Sequence, residues 1–164
     1  MDKTVGIVLE NADDIEEDLG TIERRIRGTL VNDSAPKVGE LMVSVAKRLC
    51  PVGRYNGGRL RDSITADEGL SDDGGIQVTV GTSVEYAPYV EFGTGSHGSA
   101  AYKGHTTPGV SFTSKPFWTY FSEELKQFIT TTGEDPQPFL RPSLYDTRRQ
   151  VADLMAGDIN KVFQ

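Results

Sequence analysis

Tyr86-Ala-Pro-Tyr-Val-Glu-Phe-Gly-Thr-Gly95 is the stretch on which the fold turns. Period-two alternation assigns Tyr86, Pro88, Val90 and Phe92 to one face of a strand and Ala87, Tyr89 and Glu91 to the other. Pro88 donates no ladder hydrogen bond, so this strand lies at an edge or bends there. Upstream, Ile76, Val78 and Val80 alternate with Gln77 and Thr79, which predicts a strand with one buried face. Leu60, Ile64 and Ala66 fall at even spacing and give a weaker strand, and residues 69–75 read as a turn. Short connections make these strands an antiparallel meander.

Helices flank the meander. Ile15, Leu19, Ile22, Ile26 and Leu30 recur every three or four positions, with Asn11 or Asp13 as the cap. Val38, Leu41, Met42, Val45 and Leu49 continue the pattern beyond Pro36, either as a second helix capped by Ser34 or as one kinked helix. Pro142 opens a last helix with Leu144, Val151, Leu154, Met155, Ile159 and Val162 inward. Residues 1–10 read as an extended arm or short strand. Residues 93–114 read as a long mobile loop, and Phe117, Phe121, Leu125 and Phe128 space as an added helix. The expected class is α+β: a meander of three to four strands packed on a long N-terminal helix and a C-terminal helix. At 164 residues the chain suits one domain, 1–164, with residues 96–135 as an inserted loop and extra helix.

Composition narrows the function. The net charge is −7, which argues against a protein that coats DNA. Charge is also segregated. Glu10, Asp13, Asp14, Glu16, Glu17, Asp18 and Glu23 crowd the first helix, whereas Lys47, Arg48, Arg54, Arg59 and Arg61 follow one another with no acid between them. Opposite charge at separate places suits head-to-tail contacts between copies, the plain alternative being two solvated faces. No apolar run reaches the roughly 20 residues of a membrane helix, and the start lacks the basic and apolar regions of a signal peptide. Synthesis and retention in a cytoplasm are expected. The one cysteine, Cys50, forms no internal disulfide.

No catalytic, cofactor or metal site is expected. His97 and His105 lie on a glycine-rich stretch without the further ligands that zinc requires. Glu91 as a general acid needs a second positioned group, and a small hydrolase using Glu91 with His97 or His105 is the competing reading from another class. The region from Gly53 to Ile64 lacks the Gly-Lys-Ser/Thr ending of a nucleotide-binding loop. Arg59 and Arg61 straddle Leu60 and would face away from the core, free to meet acidic groups. Glu91 is expected to pair with Arg59 or Arg61, within or between chains. Phe117, Trp118, Tyr120 and Phe121 suit a core or subunit interface better than base stacking, since basic residues are scarce around them.

Five blocks then occur in order: Ala46-Lys47 with Pro51-Val52, Gly58-Arg-Leu-Arg-Asp-Ser-Ile64, Val80-Gly-Thr82, Tyr86 to Gly95, and Pro138-Phe-Leu-Arg-Pro-Ser-Leu144. In this order they resemble the tail-completion, or head–tail joining, family of tailed bacteriophages, often described as minor tail components. Tyr55-Asn56 looks inserted, Ser143 stands where alanine is common, and residues 96–135 are often much shorter in the family. The resemblance implies a structural virion protein, made in a bacterial cytoplasm, assembling as a ring between the connector and the tail tube. Sixfold symmetry follows by analogy with tails and twelvefold by analogy with connectors. A minor tail or tail-terminator protein is the alternative station. The implied partners are further copies, the connector or stopper and the terminator or tube proteins, with genomic DNA passing through and not held in a sequence-specific way. Arg59, Arg61, Tyr86, Glu91, Phe92 and Arg141 are the expected subunit-interface residues.

Overall fold

The computed structural model describes residues 12–53, 58–72, 75–113, 115–123 and 125–164. The expected N-terminal arm, Asn11, Arg54 and Gly57 lie outside them. Helix α1 (Ala12–Thr29) runs through a π-helical turn (Leu30–Ser34) into α2 (Ala35–Leu49) without a break. The wide turn explains how Pro36 is accommodated. Proline lacks an N–H and its ring collides with the carbonyl four residues back in an α-helix, and one extra residue in the turn relieves that contact. The Ala35 N–H accordingly donates to the Leu30 carbonyl, five residues back. The outcome is one long helix, not two capped ones.

Val38, Met42, Val45 and Ala46 form the buried stripe of α2. The helix lies across an antiparallel hairpin of β1 (Thr65–Leu70) and β2 (Ile76–Gly81), in register Ala66 to Val80 and Glu68 to Val78. Ile76, Val78 and Val80 are half-buried and Gln77 and Thr79 exposed, as the alternation predicts. Gly39 permits the close approach of helix to sheet, because a Cβ there would meet Ala66 and Glu68.

Three local expectations are corrected. Residues 59–62 form a helical turn, α3 (Arg59–Asp62), entered through Gly58 at φ +91°. Leu60 is buried and Arg59 exposed because of helical, not strand, geometry. The opening stretch is helix α4 (Ala87–Phe92), with Pro88 in its first turn, where a missing N–H costs nothing. The region expected as loop and aromatic helix holds two further hairpins, β3 (Ala101–Tyr102) with β4 (His105–Thr106) and β5 (Trp118–Ser122) with β6 (Gln127–Thr131). The strands are therefore paired as separate hairpins. The C-terminal helix is divided into α5 (Leu140–Tyr145) and α6 (Arg148–Lys161). The class is α+β, with a long N-terminal helix and helices at the C-terminus.

The centre of the core joins α2, α3, α4 and the segment entering α5 through Ala46, Cys50, Leu60, Ile64, Val84, Ala87 and Phe139. Ile64 and Phe139 are wholly enclosed. Burial pushes the Cys50 thiol up from its ordinary pKa, the Arg61 charge opposing it.

Candidate functional site

Two of the stretches quoted from the sequence, Tyr86 to Gly95 and Pro138 to Leu144, meet around one buried ion pair. Glu91, on the last turn of α4, is 2% exposed and Arg141, in α5, is 7% exposed. The Glu91 carboxylate accepts from the backbone N–H groups of Phe139, Leu140 and Arg141 at 2.7, 2.8 and 3.0 Å, and from Arg141 Nε at 2.8 Å. Those amides are the unpaired donors at the start of α5, so the carboxylate is that helix's cap as well as the arginine's counter-ion. Arg141 also donates through Nη2 to the Glu91 carbonyl and through Nη1 to the carbonyls of Ser99 and Ala101. The Phe92 ring lies 4.7 Å and the Tyr102 ring 5.6 Å from the guanidinium carbon. Two charges removed from water need their hydrogen-bonding capacity filled, and here it is.

The flanking sequence serves this knot. Phe139 anchors the segment in the core, and Pro142 sits in the first turn of α5. Gly93 and Gly95, at φ +71° and +60°, hold Thr94 against residues 132–136. The Thr94 N–H donates to the Glu134 carbonyl at 2.9 Å, and the Glu134 N–H to Thr94 Oγ1 at 3.0 Å. A Cβ on Gly93, Gly95 or Gly133 would collide with the opposing backbone. Close backbone approach is thus what the Gly-Thr-Gly sequence provides. The β3–β4 hairpin is strapped over the junction of α5 and α6. Lys103 Nζ donates to Asp146 at 2.8 Å, Tyr102 Oη to Asp146 at 3.1 Å, and the His105 ring stacks on Tyr145 at 4.2 Å. The Lys103 ammonium holds Asp146 below its ordinary pKa.

The six expected interface residues divide accordingly. Glu91 pairs with Arg141, not with Arg59 or Arg61, because α4 ends facing the amides that open α5. Both partners are inside the chain, and Phe92, half-buried, packs on Arg141. Arg59 is exposed, Arg61 bonds its neighbour Asp62 at 3.3 Å, and Tyr86 is half-buried beside Pro51, Val52 and Val90. His97 Nδ1 donates to Asp135 Oδ1 at 2.9 Å. Among the described residues, neither histidine is hydrogen-bonded to Glu91, whose oxygens are already occupied by amides and guanidinium. No group of three or more potential metal ligands occurs among the described residues.

A second polar cluster escaped sequence reasoning. Asp158 in α6 is buried against the π turn, where it accepts from Ser34 Oγ at 3.1 Å, Lys37 Nζ at 2.9 Å and Lys161 Nζ at 2.7 Å. These donors, that of Lys161 foremost, hold the Asp158 carboxyl well below the usual carboxylate range. Arg25 Nη2 donates at 2.8 Å to the Val162 carbonyl at the end of α6. The available signal was one of position. Asp158 lies four residues after Leu154 and four before Val162, on the stripe read as apolar.

A groove of about 740 Å³ runs beside the knot, lined by Met42, Val78, Val80, Val84, Leu140 and Tyr145 among others. No helix among the described residues is long and apolar enough to cross a membrane. Comparison with curated proteins and with solved structures returned no match. A protein-family model matches residues 13–93, which take in nearly all of α1, then α2, α3, α4, the first hairpin and Glu91, but stop short of α5, α6 and Arg141. Over those residues the chain is similar to the HK97-gp10-like family, described as "Bacteriophage HK97-gp10, putative tail-component".

Proposed function

We propose that this chain is a non-catalytic virion protein of the tail-completion type, which joins head to tail as a ring between connector and tail tube. One observation carries the reading. Two of the characteristic blocks, Tyr86 to Gly95 and Pro138 to Leu144, converge on an ion pair whose buried polar atoms all have partners within the chain, so they hold a scaffold and leave recognition to the surface. Similarity to a family of phage tail components supports a virion location for such a scaffold. The net charge of −7 suits a ring that lets DNA pass, because few basic contacts give little counterion-release affinity. Arg59, Arg61 and Tyr86 remain the proposed surface contacts between copies, with sixfold closure expected.

The family description, a tail component, also favours a station nearer the tube, as a minor tail or terminator protein. Particles from a phage lacking this gene separate the two. Filled heads beside finished tails that fail to join, with joining restored by purified protein, are expected for the first. Absent or abnormally long tails would move the assignment to the second. Normal infectious particles would overturn both.

A further inference from the structure

The two ends of the long helix carry surfaces that complement each other and cannot meet within one chain. At the N-terminal end, Ile15 and Leu19 are 53% and 61% exposed and stand one turn apart on the same side of α1. Glu16 and Asp18, both exposed, flank that ridge on either side. Farther along α1 the same stripe is half-buried, where Ile22 and Ile26 line a cleft with Ile76 whose outer end is Leu19. The stripe therefore runs past what the other described residues cover. At the other end, a cavity of about 390 Å³ opens between Pro51, Val52, Leu60, Tyr86 and Val90, with Arg59 on its wall. Lys47 and Arg48 occupy the last turn of α2 beside it, and Leu49 and Val52 are 44% and 53% exposed. Residues 19 and 49 lie on one helical rod, roughly 45 Å apart at 1.5 Å per residue.

We propose that the ridge of Ile15 and Leu19 of one copy seats in the Val52–Tyr86 cavity of the next. In this contact Glu16 and Asp18 face Lys47, Arg48 and Arg59. The proposal rests on the ring reading above and specifies its interface. The occupant is a second copy because both halves, apolar with acid and apolar with base, are present on the same chain at opposite ends. Such a contact is heterologous and propagates from copy to copy until it closes. Arg61 contributes less than its sequence position suggests, since its guanidinium is bonded to Asp62.

The test is the size of the purified full-length protein by mass photometry across a concentration series. Three variants accompany the wild type: Glu16→Lys with Asp18→Lys, Arg48→Glu with Arg59→Glu, and Leu19→Ser. All the altered side chains are exposed, so folding should be retained, and circular dichroism checks it. Each double variant alone opposes like charges and should assemble at least about tenfold more weakly than wild type. A one-to-one mixture of the two should recover assembly, because every ridge then finds a socket of opposite charge. Leu19→Ser should weaken assembly without recovery in either mixture. Variants that assemble as tightly as wild type would overturn the interface and leave the ring reading standing. A wild-type chain that stays monomeric in solution and in single copy in purified particles would overturn the ring and this interface together.

Discussion

The knot around Glu91 and the β5–β6 hairpin reverse the usual distribution of polarity. Glu91 and Arg141 are 2% and 7% exposed, while Phe117 and Phe128 are 61% and 74% exposed. The buried pair is tolerable because backbone amides, carbonyls and aromatic rings surround the charges and give each buried nitrogen and oxygen a partner. The hairpin, by contrast, packs mainly on itself. Phe121 meets Phe128 edge to face at 5.2 Å and little else covers them. Hydrogen-bond satisfaction decides burial in the first region and lack of neighbours decides exposure in the second. The apolar side chains left uncovered, Phe117 and Phe128 among them, mark faces for partners.

That contrast fails first if the pair is dispensable. Glu91→Ala removes the cap of α5 and strands the Arg141 charge, and it should cost about 3–5 kcal/mol, much of a typical domain's stability. Urea denaturation measures it, and a loss under about 1 kcal/mol would mean that water already serves these groups. Replacing both residues by leucine should hurt less than Glu91→Ala, since no buried charge is left unpaired. Next in size is Gly133→Ala. Its φ of +121° is unsuited to a side chain and the new Cβ would run into the Thr94 carbonyl. We expect a loss of about 1–3 kcal/mol, read as a lowered urea midpoint. An unchanged midpoint would show that residues 132–136 are not needed where they lie.

Asp158 sharpens the comparison through pH. Its carboxyl is held below the unfolded value, so the stability it contributes is complete above about pH 4 and declines as pH falls further. The melting temperature of wild type should therefore drop more between pH 5 and pH 2.5 than that of Asp158→Asn. Parallel curves would indicate that Lys37 and Lys161 do not hold the carboxylate in solution.

Sequence patterns identify the element where one period dominates. The long stripe from Ile15 to Leu49 and the alternation of Ile76, Val78 and Val80 gave a helix and a strand. They misled where two periods fit the same residues. Tyr86, Pro88, Val90 and Phe92 alternate, yet the segment is a helical turn, because Glu91 reaches the start of α5 from there. Phe117, Phe121, Leu125 and Phe128 suit a helix, but Phe121 and Phe128 are cross-strand partners. Glu91 and Arg141 were both singled out, but their pairing was not. They lie fifty positions apart, and no local pattern encodes a contact at that range. Asp158 went unnoticed because an acid within an apolar stripe gives no sign of its partners.

The smallest expected effect tests the hairpin. Phe128→Thr retains a β-favouring residue and removes the edge-to-face contact with Phe121, worth about 0.5–1.5 kcal/mol within the hairpin. Global stability should nevertheless change by under about 0.5 kcal/mol, because a substitution in a unit that opens separately does not register in unfolding of the core. Amide exchange should accelerate across residues 118–131 and remain unchanged in α2. A drop of more than about 1.5 kcal/mol in global stability would make the hairpin part of the cooperative core. The exposed aromatic face would then be one side of a load the core depends on, and the division between closed scaffold and open surface would have to be drawn elsewhere.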